Sequence, residues 1–483
     1  MADPSGVVFP VSGEDGDRST SALGRAVVAD ALRGVDPVGA RAAQHETGWR
    51  RQYLDHFRRL VEAGLASGDT ARQIAADGLT SLHDRMRVVR ADGEEVGLRE
   101  AFSAPSPGGL GTEQVTGSGT AERELTLPYR GERLKGDALQ RRLDDWVTRG
   151  VIEPSCAEAV RTVARHPDWL DTSDVRVAVL GAGAEMGPVQ ALLRWGGSVV
   201  AVDLARPALW GRLLEVARRS AGTLSVPVRP GAGPVEERAG ADLLHDLPVV
   251  AGWLGDVEGR LLLGNYVYAD GATHVRVAAA VDALTERLRA VRPDTALSFL
   301  ATPTDVFAVP REAVEHSART WSGRGRTSQV LRVVSGGRLL QRSYAPGSDP
   351  GINDSMVPQQ GPNYALAKRV QRWRATTARA QGALVSLTVA PPTRTRSVLK
   401  NRALAAAYAG AHRFGVEVFD PATSNTLMAA LLVHDLRTTP PPAEHPWQDE
   451  ARDAAHGGLW RIAYAPPSAL GLAAVLGMGG ARG

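Results

Sequence analysis

The sequence predicts an α/β protein: a doubly wound parallel sheet with a helical N-terminal accessory domain. Three observations carry this expectation. Over about thirty residues, a strand-like run (Val175 to Leu180) leads into a glycine-rich turn, Gly181-Ala182-Gly183-Ala184-Glu185-Met186-Gly187-Pro188. A helical pattern follows until Gly196-Gly197, and a second apolar run, Ser198 to Val202, is closed by Asp203. From Asp171 onward, strand-like and helix-like stretches alternate, as a parallel sheet covered on both faces requires. Before Asp171 the periodicity is mostly helical.

Length and composition bound the possibilities. The 483 residues exceed one compact core, so two units plus appendages are expected. The formal net charge of +3 is small for this length and does not support a nucleic-acid-binding or membrane-binding surface. A pI of about 9.1 leaves room for a local basic patch. The single cysteine, Cys156, excludes an intramolecular disulfide and argues for a reducing compartment. It reads as a core residue at a helix start rather than a nucleophile, since no histidine lies near it in sequence. The polar N-terminus lacks an apolar signal core, and no apolar run approaches the ~20 residues of a membrane span. A cytoplasmic location is expected.

Taken in order, residues 1–20 read as loosely ordered, and residues 1–170 as the helical accessory domain. Tyr53, Phe57, Leu60, Val61 and Leu65 share one helical face, and Leu79, Leu82 and Met86 continue it. Ala91-Asp92-Gly93 is a turn, and the Gly/Pro/Ser/Thr-rich stretch near 103–119 reads as a flexible linker. Leu139, Leu143, Trp146 and Val147 mark another helix, and Ser155 is the expected N-cap of the next. The catalytic unit spans residues 171–438. Its expected strands include Thr223 to Val228, Gly259 to Tyr268, Thr295 to Ala301 and Leu384 to Ala390. Helices are expected at Trp210 to Ala221, Thr273 to Val291, Tyr364 to Ala380, Asn401 to His412 and Ser424 to His434. The polar, arginine-rich insertion at 308–361 reads as a lid or substrate loop. In it, Gln329 to Val334 and Arg338 to Tyr344 flank Ser335-Gly336-Gly337 as a hairpin. Pro440-Pro441-Pro442 ends the unit, and residues 439–483 form a tail that docks on the body or on a partner.

Two sets of residues carry chemistry. The glycine turn lets the backbone approach a pyrophosphate closely, and an acid about twenty residues on, Asp203, can accept hydrogen bonds from an adenosine ribose. Asp242 lies where an adenine contact or a turn cap is expected. The second set begins at Gly361-Pro362-Asn363-Tyr364-Ala365-Leu366-Ala367-Lys368. Tyr364 and Lys368, four residues apart on a helix, share a face, so that a neighbouring ammonium favours the phenolate. An alternative is a surface tyrosine followed by a surface lysine.

On these residues the sequence resembles the short-chain dehydrogenase/reductase family, closest to its extended branch. Gly181 to Gly187 is similar to that family's glycine motif, and Tyr364 and Lys368 to its Tyr-x-x-x-Lys pair. Ala301 to Phe307 looks like the segment carrying the branch's catalytic Ser or Thr. The resemblance covers about Asp171 to Leu436. It implies a Rossmann fold and an oxidoreductase in which Tyr364 exchanges a proton with a carbonyl or alcohol. Lys368 would lower the tyrosine pKa and hold the nicotinamide ribose. Thr302 would bind the substrate oxygen, with Ser298 and Thr304 as rivals. Gly181, Gly183 and Gly187 would frame the pyrophosphate. Glu185 stands where the family usually has its middle glycine, which places a carboxylate near the diphosphate. Asp203 favours NAD over NADP, whereas Arg206 would attract a 2′-phosphate.

Arg394, Arg396, Lys400 and Arg402, with Arg372 and Arg374, read either as a solvated basic face or as a site for an anionic group. No His/Cys/Asp spacing suggests a metal site. The expected partner is a small-molecule substrate, with an anionic one allowed, and with no nucleic acid and no membrane; a homo-oligomer is allowed as well. Two alternatives to the oxidoreductase are carried. One is an epimerase or dehydratase retaining NAD; the other is a non-catalytic dinucleotide-binding scaffold.

Overall fold

A computed structural model describes residues 5–12, 16–103 and 109–478. Seven strands build its central sheet: β1 (Gly111–Thr116), β2 (Val175–Leu180), β3 (Ser198–Val202), β4 (Thr223–Val228), β5 (Arg260–Asn265), β6 (Ala296–Ala301) and β7 (Val385–Val389). Their order is β7-β6-β5-β2-β3-β4-β1, and all neighbours run parallel except the antiparallel edge pair β4/β1. The chain is thus mixed α/β with a mostly parallel sheet. The chain leaves β2 toward β3 on one side, and β5 returns to the other side of β2. The strand order therefore reverses between β2 and β5, where Leu180 pairs with Asn265 and a ligand crevice opens beyond the strand ends.

Alternation along the strands divides the apolar side chains between two faces. Ala178, Leu180, Val200 and Val202 enter one core, and Val177, Val179, Val199 and Ala201 the other. The first face is covered by α1 (Thr20–Arg33), α2 (Trp49–Gly64), α3 (Gly68–Arg85), α4 (Ala272–Val291) and α5 (Gly361–Ala380). N-terminal residues Val27, Trp49, Phe57 and Leu82 share that core with Leu366, Val370 and Trp373 of α5. At Gly78 in α3 a Cβ would run into the Trp373 ring, so only glycine permits this approach. Beyond β7 lie α6 (Arg402–Gly410), α7 (Pro421–Thr438) and α8 (Pro466–Gly477). Helix α7 packs in the second core, while α6 and α8 meet through Gly410 and Gly477, where a Cβ on either would strike the other helix's carbonyls.

Several elements depart from expectation. Of the stretch expected as loosely ordered, residues 1–4 and 13–15 lie outside the described residues. Gly6–Val8 is a strand paired antiparallel with Arg87–Val89. Of the expected linker, residues 104–108 lie outside the described residues, and β1 falls within the remainder. Its side chains are largely exposed, so an edge strand here leaves no apolar pattern to read. The expected hairpin at 329–344 is instead a helix, Arg326–Val334. Ser335-Gly336-Gly337 caps its end: Gly336, at φ +62, donates to the Val333 carbonyl, and Gly337 donates to that of Arg332. This is a Schellman motif, which uses the same glycines a hairpin would. The insertion's strand pair joins Val306–Val309 to Gly351–Asp354. Glu153, not Ser155, precedes the helix Pro154–Arg165, and Cys156 is buried in that helix. Among the tail residues, His456 and Trp460 are buried, and the Trp460 carbonyl accepts from the Tyr344 hydroxyl of the insertion. Residues 479–483 lie outside the described residues. No helix among the described residues is long and apolar enough to cross a membrane.

Candidate active site

The glycine turn sits at the carboxyl end of β2 and is held by its own backbone. Gly181 and Ala182 donate to the Val202 carbonyl, Ala184 donates to Gly181, and Gly187 donates to Ala184. Gly183 donates to Asp203 Oδ2 at 2.8 Å, while Leu204 donates to Oδ1 at 2.8 Å. Burial raises the Asp203 pKa above the usual carboxylate value, and these two amides pull it back only in part. Gly181 has φ +81, and a Cβ there would lie 3.0 Å from the Tyr266 and Val267 backbone. At Gly183 a Cβ would press on Leu209 at 2.8 Å and on Asp203 at 3.2 Å. Gly187 is less confined, its Cβ meeting Ala184 O at 3.3 Å.

Glu185 turns away from the turn's interior. Its carboxylate accepts from the Arg396 backbone N–H at 2.8 Å and from Arg396 Nε at 3.1 Å, which ties the turn to the segment after β7. Asp242 caps a turn, accepting from Leu244 N at 2.8 Å. The preceding Ala241 donates to the Asp203 carbonyl, so this loop flanks Asp203. Arg206 is exposed and precedes the helix Pro207–Arg219.

The second cluster is built by the loop after β6 and the first turns of α5. The Thr302 and Thr304 hydroxyls lie 2.9 Å apart. Burial pushes the Tyr364 phenol up to about 12, against a smaller opposing pull from the Thr302 hydroxyl. Lys368 Nζ donates to Gln371 Oε1 at 3.1 Å and to the Leu300 carbonyl at 3.4 Å. Gln371 in turn donates to Asn265 Oδ1 at 3.2 Å. Burial brings Lys368 down to about 8, with Asp305 acting weakly in the other direction. The expected pairing, in which Lys368 lowers the Tyr364 pKa, is therefore corrected. The ammonium is engaged with Gln371 and Leu300, and desolvation raises the phenol. Ser298, a rival for the substrate oxygen, is buried and spent on the Tyr266 hydroxyl at 2.9 Å.

Sequence reasoning missed several neighbours. Tyr268 and His274 follow β5, and their rings lie 5.2 Å apart; His274 lies 5.4 Å from the Tyr364 ring. Both His274 nitrogens are buried without a protein partner, and burial drops its pKa to about 3, so the ring is neutral. The only available signal was their place just after a strand end beside the switch point. Arg372 and Arg374 form neither a solvated face nor an open anion site, because both are buried in ion pairs. Arg372 bonds Asp305 at 2.8 Å and Glu450 at 2.6 Å; Arg374 bonds Asp282 at 2.7 Å. Arg394, Arg396, Lys400 and Arg402 are exposed. A His/Asp group absent from sequence spacing appears at His434, Asp435 and Asp453, whose ligand atoms lie within 4.8 Å of one another.

Two cavities adjoin this cluster. The smaller, of about 240 Å³, includes Tyr53, Thr302, Asp305, Tyr364 and Lys368 in its walls. The larger, of about 790 Å³, lies between α6, α8 and the 355–360 segment. They share Thr304, Met356, Val357 and Gln360.

No family model matches the chain. It is similar to the Nocamycin O-methyltransferase of Saccharothrix syringae, with 32% identity over 178 residues. The match covers 32% of this chain and 63% of that protein, so the chain spans less than two thirds of the relative's length. This likeness to a methyltransferase overturns the reading as a short-chain dehydrogenase/reductase, and with it the oxidoreductase function. The expectation of NAD or NADP falls as well. A physical reason accompanies it: five amides of the glycine turn, from Gly181 through Ala184 and at Gly187, are already spent on protein acceptors. A diphosphate needs such groups free.

Proposed function

We propose that this chain is an enzyme that transfers a methyl group from S-adenosylmethionine to an oxygen of a small-molecule acceptor. The sheet is read as Rossmann-like, with the cofactor at the reversal of strand order. The observation that carries the reading is Asp203, a carboxylate at the end of β3 beside a turn whose amides are spent internally. Such a site suits a nucleoside cofactor without a diphosphate. A carboxylate offers about four acceptor positions, and Asp203 uses two on Gly183 and Leu204, which leaves two for a ribose diol.

When bound, S-adenosylmethionine supplies an electrophilic methyl group. Gly181, Gly183 and Gly187 would line its path, and Asp203 and Asp242 would hold its adenosine end. At the acceptor side, Thr302 and Tyr364 hydrogen-bond the acceptor oxygen. Lys368, held near 8 by burial, is partly a neutral amine at physiological pH and takes the acceptor's proton. Gln371 and the Leu300 carbonyl then hold the ammonium that forms.

Calorimetric titration tests this reading. Wild-type protein is expected to bind S-adenosylmethionine and S-adenosylhomocysteine but not NADH. Asp203→Ala should weaken both by about tenfold or more, as loss of hydrogen bonds to a charged group entails. Folded wild-type protein that binds neither adenosyl ligand overturns the proposal.

A further inference from the structure

The larger cavity has a chemistry of its own. Its walls contain no Asp, Glu, Lys, Arg or His among the described residues. Leu404, Phe414, Leu459 and Ile462 line it along with alanine and proline positions from α6 and α8. Its polar lining residues are few, Thr304, Ser355, Gln360 and Tyr408, and two of them, Thr304 and Gln360, also line the smaller cavity. Helices α6 and α8, which both contribute to its lining, are held together by a glycine-mediated contact that lets two backbones touch without side chains between them. A charged ligand body here would lose its hydration with no countercharge to replace it, whereas a hydrocarbon body would gain by leaving water.

We infer that this cavity binds the body of a neutral, elongated, mainly hydrocarbon acceptor. The molecule's single reactive oxygen is presented at Thr304 and Gln360 to Tyr364 and Lys368. This assignment of substrate class rests on the methyltransferase reading, but the binding itself needs no cofactor. It excludes the anionic substrate that the arginine-rich sequence suggested. Val398, which lines the cavity two residues beyond Arg396, joins it to the segment that grips Glu185 of the glycine turn.

The test uses full-length protein and a neutral fluorophore, N-phenyl-1-naphthylamine. Fluorescence should rise on binding, and 1-dodecanol should displace the probe at least tenfold more effectively than dodecanoate at pH 8. Ala407→Trp and Val398→Trp, which fill the cavity from two sides, should each weaken probe binding at least tenfold. S-adenosylmethionine titrated into the same samples reads the other site and reports folding. Equal or better displacement by dodecanoate overturns the inference. So does undiminished probe binding in both variants, or no probe binding by wild-type protein that still binds S-adenosylmethionine. Failure to bind S-adenosylmethionine with the cavity results intact would instead remove the methyltransferase reading and leave the neutral apolar site standing.

Discussion

Replacing Lys368 with methionine should make the protein more stable at neutral pH while removing its activity. Burial brings the lysine from an ordinary 10.5 to about 8. That displacement corresponds to about 3 kcal/mol of unfavourable charge burial wherever the ammonium is fully formed. Methionine removes the cost but also two hydrogen bonds, to Gln371 at 3.1 Å and to Leu300 at 3.4 Å, worth about 1 kcal/mol each. The expected net gain is ~1 kcal/mol at pH 7. Because the folded-state pKa lies below the unfolded one, the unfolded chain holds more protons between pH 8 and 10.5. Wild-type stability therefore rises with pH across that window, and the advantage of Lys368→Met fades as the pH approaches 10.5. Urea unfolding of both proteins at pH 7 and pH 10 measures the difference. Methyl transfer by the wild type should rise with pH through about 8, and the variant should lose at least about 100-fold in rate, the low end for a lost general base. A variant less stable than wild type at pH 7, or a difference independent of pH, would refute the reasoning.

Two further outcomes follow from the packing. Gly183→Val would drive a branched side chain against Leu209 and Asp203, whose nearest atoms would lie 2.8 and 3.2 Å from the Cβ alone. S-adenosylmethionine affinity should fall about tenfold or more by calorimetry, with the melting temperature lowered by overpacking of ~1–3 kcal/mol. Asp305→Asn would strip the carboxylate from between Arg369 at 2.9 Å and Arg372 at 2.8 Å, all three buried. A loss of ~3–5 kcal/mol in urea unfolding is expected; a loss below about 1 kcal/mol would show that Glu450 alone holds the arginines.

Much of the sheet was legible because β2, β3, β5, β6 and β7 are apolar runs interrupted by glycine turns and helices, the pattern that burial on both faces imposes. Strand β1 was not, since an antiparallel edge strand of sequence Gly-Thr-Glu-Gln-Val-Thr needs no apolar face. The helix at Arg326–Val334 was misread because Val330, Val333 and Val334 favour strands locally and are exposed, so no core contact marks their periodicity. At the site, the glycine turn, Asp203 and the spacing of Tyr364 to Lys368 could all be read. Their meaning could not. Whether turn amides are free for a diphosphate depends on Val202 and Asp203 arriving from the next strand. Whether lysine lowers a phenol's pKa depends on burial and on Gln371, one turn further along. The larger cavity was illegible because α6, α8 and the 355–360 segment meet only in the fold.

Helix α5 explains why the lysine is poised rather than merely buried. Its sequence sets Lys368, Arg369, Arg372 and Arg374 within seven residues; the fold buries the three arginines and leaves Lys368 half-buried in the wall of the smaller cavity. Each arginine meets a carboxylate: Arg369 and Arg372 share Asp305, Arg372 also takes Glu450, and Arg374 takes Asp282 and Glu286. Asp305 is the acid whose charge reaches Lys368, yet its oxygens are already occupied by the two arginines and by the Val306 amide. Lys368 consequently has no carboxylate in bonding range among the described residues, and its hydrogen-bond partners are the neutral oxygens of Gln371 and Leu300. The paired arginines anchor the helix and so fix the backbone from which the lysine projects. An ammonium without a carboxylate partner gives up its proton more readily, and the amine so formed can act as a base near neutrality; the same four-residue spacing from Tyr364 that suggests hydride chemistry in the sequence here supports removal of a proton from an acceptor oxygen.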